Sequence, residues 1–384
     1  MPAFPHVTPA VQGMTGSVFS ALAHRLRQYQ GPVYPLHVGD TWMAPAVGCR
    51  MSDFTEEKVP GMHRYSNPHG RDDLLDAIVH TKSRHLQCDL SRDEVLVTAG
   101  ATGGLGAVLG AIVSPAEKVM ILAPFWPLIA GIVRSYRGEP VITPLPDEQA
   151  DTSVLRGVLD AHYSSDVVAI YLNTPNNPTG RNLPASWLET VADWAREKGI
   201  WILADEVYDL YVYRGTHHYM HSLAPERTFS SFSFSKAYGM AGNRCGFVVG
   251  PKSMMKYAQK ISTHSFYSTP TAAQLAAHAA LTTEAGTEWV RTARSAYSEL
   301  GYWAAKRLGT VSPDGGTFVF LDVADALDER GLMPLLESCV DNGVLLAPGP
   351  SFGPYPTHVR LCFTSIEPEI MKQGVEIFAG LIGR

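Results

Sequence analysis

Between residues 95 and 249 the chain repeats one pattern: a short, nearly continuous apolar run followed by a longer amphipathic stretch. The runs are 95–99, 119–123, 167–172, 200–204 and 246–249, with a further strand candidate at 228–233. Runs of this length, without polar alternation, read as strands buried on both faces. The stretches between them read as helices. Leu105 to Val113 would pack closely through Gly106 and Gly110, and Pro184 to Lys198 has Pro at its start and Gly199 just past its end. Strands alternating with helices predict an α/β fold whose mostly parallel sheet is covered on both faces. In such sheets ligands sit beyond the carboxyl ends of the strands, so chemistry is sought in the residues that follow each run.

The two ends of the chain read differently. A helix over 293–308, a strand over 317–322, a helix over 333–342 and a strand over 359–363 follow the repeating region. Together with the first residues they predict one smaller lobe built from both ends. The expected division is 1–45 as an N-terminal arm and part of the small domain, 46–287 as the large domain, and 288–384 as the small C-terminal domain. With 384 residues, 45% hydrophobic and 18% charged, the chain has enough apolar material for a sizeable core. That excludes disordered, collagen-like and coiled-coil classes.

The balance of 31 basic against 37 acidic residues, without basic runs, argues against nucleic acid or an anionic membrane as partner. No apolar stretch approaches the roughly 20 residues needed to span a bilayer. The opening Met1-Pro2-Ala3-Phe4-Pro5 lacks the build of a signal peptide. Cys49, Cys88, Cys245, Cys339 and Cys362 are scattered, with no CxxC pair. A disulfide framework or zinc site is not expected, and a reducing cytoplasm is.

The strand ends offer five signals. Gly100-Ala101-Thr102-Gly103-Gly104 opens a helix, where small residues and the helix dipole favour an anion; a plain tight turn explains it as well. Trp126, between Pro124 and Pro127, is either a plate for a planar ring or a core side chain. The segment Asn173-Thr-Pro-Asn-Asn-Pro-Thr-Gly180 is a rigid polar turn whose asparagines can donate to a ligand. Asp205 ends an apolar run, where a carboxylate needs a partner: a protonated ring nitrogen, or, as a helix cap, backbone amides. Lys236, in Ser233-Phe-Ser-Lys236, sits among small and aromatic residues, and a lysine in a partly dry pocket is a nucleophile toward carbonyl carbon. An anion cradle, an aromatic plate, a ring-nitrogen anion, donors for a phenolic oxygen and an imine-forming lysine together match pyridoxal 5′-phosphate.

From about Leu36 to Phe363 the sequence resembles the fold-type I pyridoxal-phosphate enzymes, specifically the class I/II aminotransferases. The resemblance implies a large domain with a mostly parallel seven-stranded sheet and a smaller α/β lobe. It implies that Lys236 forms the internal aldimine and shuttles the proton, that Asp205 pairs with the pyridine nitrogen, and that Tyr208 and Asn177 bond the phenolic oxygen. Trp126 would stack on the ring. Gly100, Ala101, Thr102, Ser233 and Arg244 would surround the phosphate, joined by Tyr65 from a neighbouring subunit, hence a homodimer with shared sites. Arg360 would grip the substrate carboxylate, with Gly39 and Asn177 nearby. At the place of a second, dicarboxylate-binding arginine stands His264, which argues against an aspartate or glutamate specialist using that clamp; a surface or packing histidine explains it as well. His217, His218 and His221 read as a solvated loop without metal-ligand spacing.

The reaction implied is transfer of an amino group from an L-amino acid to a 2-oxo acid. Within the same cofactor class a β-lyase, a β/γ-eliminating or replacing enzyme or a cyclase shares these residues. A non-catalytic regulatory module is disfavoured by the lack of a basic helix.

Overall fold

The computed structural model describes residues 6–14, 19–147 and 149–384. The reading of Met1 to Pro5 lies outside the described residues.

Seven strands form the main sheet: β1 Val95–Thr98, β2 Lys118–Ala123, β3 Glu139–Pro144, β4 Val167–Asn173, β5 Trp201–Asp205, β6 Thr228–Ser233 and β7 Gly246–Val249. Their order is β1-β7-β6-β5-β4-β2-β3. β7 runs antiparallel to β1 and β6, while the other neighbouring pairs are parallel. Alternate side chains leave on opposite faces, and both are covered. Met120, Leu122, Ile170, Leu172, Ile202 and Ala204 meet the helices Thr152–His162 and Ala185–Lys198. Val119, Ile121, Ala169, Tyr171 and Leu203 meet the helices Gly100–Ile112 and Leu128–Ser135. Six of the seven strands match the runs read from the sequence to within a residue or two at each end. The seventh, β3, was not read: it carries Pro140 and Pro144 and lies at the sheet edge, where proline is tolerated.

The helix Ala185–Lys198 has Pro184 at its N-cap and ends on Gly199 at φ 70°, the left-handed position that glycine takes without strain. A second, antiparallel sheet of β8 Phe318–Asp322, β9 Ala347–Pro348 and β10 His358–Cys362 has the order β8-β10-β9. It shares a core with the helices Glu284–Leu308, Leu332–Asp341 and Pro368–Leu381, into which Leu22, Tyr34 and Leu36 insert. Thr364 and Leu36 carbonyls accept from the amides of Trp42 and Cys362, so the segment 34–43 lies along this sheet and faces the large one. The helix read over 293–308 begins earlier, at Glu284, capped by the Thr283 hydroxyl on the Gly286 amide.

Candidate active site

The carboxyl ends of β4, β5 and β6 converge on one cavity. Ala101, Thr102, Trp126, Asn177, Asp205, Tyr208, Ser233, Lys236 and Arg244 line it together, from segments far apart in the chain. All but Arg244, which lies just before β7, arrive by the same rule: each lies at, or just past, the end of a strand whose body is buried.

Asp205 is the last residue of β5 and is buried. No helix begins there, so the capping alternative fails. Its Oδ2 accepts from the Tyr171 hydroxyl at 2.8 Å, while Oδ1 is buried without a hydrogen-bond partner. Burial pushes this carboxyl up to about 6, against the pull of the Tyr171 hydroxyl and the Val207 amide. A buried acceptor with a free oxygen is an electrostatic vacancy for a cationic N–H. The Asp205 carbonyl in turn accepts from Asn173 Nδ2 at 2.7 Å, and Asn173 Oδ1 accepts from the Asn177 amide at 2.6 Å, which ties the ends of β4 and β5 together.

Lys236 lies in the one-turn helix Phe234–Ala237, capped by Ser233 Oγ accepting from the Ser235 amide at 3.0 Å. Its Nζ donates to the Gly39 carbonyl, and its own carbonyl accepts from the Tyr211 hydroxyl at 2.8 Å. Burial holds the amine below its usual range, with Arg360 and Arg244 adding to the effect and Asp40 and Cys362 opposing it. Gly39 is thus brought to the lysine from the other lobe.

The end of β1 supplies the anion cradle. Gly100 takes φ +68°, and a Cβ there would stand 2.7 Å from Arg244 Nη2. A Cβ on Gly246 would stand 2.6 Å from the Phe232 carbonyl and 2.9 Å from the Ala101 amide nitrogen. Glycine at both places lets backbone, Arg244 and the start of the helix Gly100–Ile112 come together. Arg244 Nη1 donates to the Ala241 carbonyl at 3.0 Å and lies 3.5 Å from Ser235 Oγ.

Arg360, on β10, is 7% exposed. Its Nη1 donates to Asn177 Oδ1 at 2.8 Å and its Nη2 to the His37 carbonyl at 2.6 Å, while Nε has no partner. The guanidinium lies over Phe318 at 4.2 Å, a cation–π contact that holds a desolvated charge. Burial lowers its affinity for the proton and pushes the Tyr208 phenol well above its usual range.

Five expected residues do not line this cavity: Gly39, Gly100 and Arg360 touch residues that do, whereas Tyr65 and His264 lie on the surface. Tyr65 is 87% exposed, its ring 4.9 Å from that of Tyr267. His264 is exposed, with Nδ1 2.7 Å from the Lys260 carbonyl. The solvated-loop reading of the three histidines is corrected: His221 is buried, and the His217 ring is held between Glu206, 3.4 Å away, and Tyr219, while His218 is exposed. Tyr219 and Phe232 bring apolar surface over that loop. Among the described residues no cluster of histidine, cysteine or acidic side chains is set to hold a metal ion.

Sequence reading missed Tyr171, Asn173 and Ser235. Asn173 and Ser235 sit beside chosen residues at strand ends, so the same rule reaches them. Tyr171 lies inside β4 and reads as core; no sequence signal links it to Asp205.

The family model "Aminotransferase class I and II" matches residues 39–378. The "Aspartate/prephenate aminotransferase" of Thermus thermophilus is 33% identical over 335 residues, 84% of each chain. The "Aromatic-amino-acid aminotransferase 2" of Thermococcus litoralis is 29% identical over 305 residues, 76% of this chain and 77% of that one. A solved double mutant of Thermus thermophilus aspartate aminotransferase superposes with a TM-score of 0.89 at 27% identity, covering 98% of this chain and 100% of the other.

Proposed function

The chain belongs to the class I and II aminotransferases and is a pyridoxal-phosphate-dependent transaminase, and we propose that Lys236, Asp205 and Arg360 are the residues on which its reaction turns. The observation that carries this is the pairing, in one cavity, of a desolvated amine with a buried carboxyl whose Oδ1 is free. Two features support the fit to the cofactor. The orphaned oxygen suits a protonated ring nitrogen, and the glycines at 100 and 246 let Arg244 and the Ala101 amide draw together where any Cβ would clash.

When bound, pyridoxal phosphate supplies an electron sink and carries the amino group from an amino acid to a 2-oxo acid. Asp205 would hold a proton on the ring nitrogen; facing a cation, its carboxyl would ionise, because the charge that burial disfavours would then be paired. Tyr171 fixes its second oxygen. Tyr208 and Asn177 would donate to the phenolic oxygen, and Trp126 would cover the ring face. Thr102, Ala101, Ser233 and Arg244 hold the phosphate, with Ser235 beside them. Lys236 would anchor the cofactor, and with its pKa held low by burial its amine would be the group to hold and move the proton of the substrate Cα. Arg360, its fork preset by Asn177 and His37, orients the substrate carboxylate with Gly39 alongside.

The same proposal includes a homodimer in which Tyr65 serves the neighbouring subunit's phosphate; its phenol is displayed on the surface, away from its own cavity. His264 would likewise serve a neighbouring site, in place of a second carboxylate clamp. The domain division at about residues 45 and 287 belongs to this reading, supported by a separate core shared by the two chain ends. A cytoplasmic location is part of it as well and rests on five free thiols. No helix of the described residues is long and apolar enough to cross a membrane.

The test is Lys236→Ala. It should abolish amino transfer to 2-oxoglutarate and the mass that borohydride fixes on the peptide carrying residue 236. Full activity in this variant would overturn the assignment, and ammonia release in place of amino transfer would overturn the reaction type.

A further inference from the structure

Outside the cavity, Gln274 is a buried polar side chain without a role in the site, in the first turn of the helix Thr271–Thr282 and with no exposed surface. Its amide is fully used. Oε1 accepts from the Arg71 amide at 2.8 Å, and Nε2 donates to the Thr269 carbonyl at 2.7 Å and to Ser66 Oγ at 3.1 Å. The Arg71 amide is a fixed donor and the Thr269 carbonyl a fixed acceptor, so only this orientation of the side chain satisfies both.

These partners bracket the strap Arg64–Arg71, which carries Tyr65 immediately before Ser66. Arg71 is the N-cap of the helix Asp72–Leu86 and supplies no capping side chain itself. At the other end the strap is tied by the Thr271 hydroxyl near the Arg64 carbonyl and by the Tyr65 ring against Tyr267. Between them the His69 carbonyl accepts from the Val97 amide on β1. An exposed tyrosine flanked by three anchors, one of them a buried amide that binds its neighbour, is held in position while its phenol stays free.

We propose that Gln274 is a positioning residue for Tyr65, holding the strap so that the phenol is presented to the cofactor phosphate of a neighbouring copy of this chain. The inference rests on the reading in which Tyr65 acts across a dimer. Its signature is an effect in trans: damage at Gln274 loosens the site of the other subunit and spares its own.

Hybrid dimers read this directly. One subunit carries Lys236→Ala, so a single site can link the cofactor covalently. Gln274→Ala or the milder Ser66→Ala is then placed either in that lysine-less subunit or in the one that keeps Lys236. Cofactor-free hybrids are titrated with pyridoxal phosphate, and occupancy is read from borohydride-fixed mass on the Lys236 peptide, with thermal midpoints alongside. In the lysine-less subunit, Gln274→Ala should weaken binding at the surviving site roughly fivefold or more, and Ser66→Ala should do so by less. In the lysine-bearing subunit neither should change it beyond about twofold. Equal loss in both placements, loss only in the lysine-bearing one, or no loss in either overturns the proposal. Should Gln274→Ala fail to fold, Ser66→Ala decides alone. Tyr65→Phe separates the layers: without a trans effect of its own the cross-dimer reading fails, whereas a trans effect for Tyr65→Phe beside silent Gln274 and Ser66 variants sinks only the inference.

Discussion

Replacing Asp205 with asparagine in the cofactor-free protein isolates the electrostatics of the site from its catalysis. The carboxyl is buried and raised from 3.8 to about 6, which places about 3 kcal/mol on its charged form. The folded state keeps this proton to higher pH than the unfolded chain does. Between about pH 4 and 6 the unfolded state therefore binds fewer protons, and stability falls as pH rises, levelling above about pH 7. Of the roughly 3 kcal/mol, about 2 is lost between pH 4.5 and 7.5. Asparagine keeps an oxygen for the Tyr171 hydroxyl and does not titrate. Its own hydrogen bonds shift stability by a constant, so the difference between variant and parent is the quantity to follow. Urea unfolding at fixed protein concentration, from pH 4.5 to 7.5, should show the variant gaining about 2 kcal/mol on the parent across that range. With pyridoxal phosphate added, the order should invert, because a cation then faces the carboxylate of the parent alone. A difference that stays flat with pH would show that Asp205 is not desolvated, and would remove the physical reason for giving it the ring nitrogen.

Other perturbations follow from the same contacts. Arg360→Lys removes the fork held by Asn177 and the His37 carbonyl, so KM for the amino donor should rise roughly tenfold or more in steady-state assays, with kcat falling less. Gly246→Ala places a Cβ 2.6 Å from the Phe232 carbonyl and 2.8 Å from the Gly100 carbonyl carbon, all backbone, so chemical unfolding should report a loss of about 2 kcal/mol or more and cofactor titration a weaker site. Lys82→Met strands the buried Asp209 carboxylate and should cost about 3–5 kcal/mol in the same unfolding assay, most of it recovered when Asp209→Leu is added.

How far the site could be read depended on where a residue sits relative to a strand end. Asp205 and Asn177 follow runs so apolar that a polar residue at their close stands out, Ser233 and Lys236 follow the more polar run 228–233, and parallel topology then brings those ends to one edge. β3 failed the same reading because Pro140 and Pro144 break its apolar run, although an edge position tolerates both. Arg360 and Gly39 lie more than a hundred residues from Lys236 in opposite directions, and no spacing rule connects them; the family resemblance did. Tyr171 was invisible for another reason. Its ring is packed among apolar side chains as any core tyrosine is, and only the pairing of β4 with β5 brings its hydroxyl to the carboxylate at the end of the next strand. The burial of His217 and His221 escaped notice because three histidines near a glycine look hydrophilic, whereas Glu206 and Tyr219 were needed to enclose them.

The segment Asp205-Glu-Val-Tyr-Asp209 explains why the site keeps its shape. Asp205 and Tyr208 line the cavity, while Glu206 and Asp209 turn the other way into buried contacts. Glu206 Oε1 accepts from the Met220 amide at 3.0 Å, and Asp209 accepts from the Tyr219 hydroxyl at 3.0 Å and pairs with Lys82, which lies over the Phe232 ring at 3.6 Å. Buried ion pairs contribute little net stability beside an apolar replacement of the same shape. What Lys82 and Asp209 add is direction, because a charged hydrogen bond fixes the turn against sliding where an apolar contact would not. The comparison also separates the two buried lysines. Lys82 meets a carboxylate, whereas Lys236 meets the carbonyl of Gly39, and burial, with a smaller push from Arg360 and Arg244, holds its pKa below the usual range. The same side chain is inert scaffolding in one place and a poised nucleophile in the other, and the partner decides which.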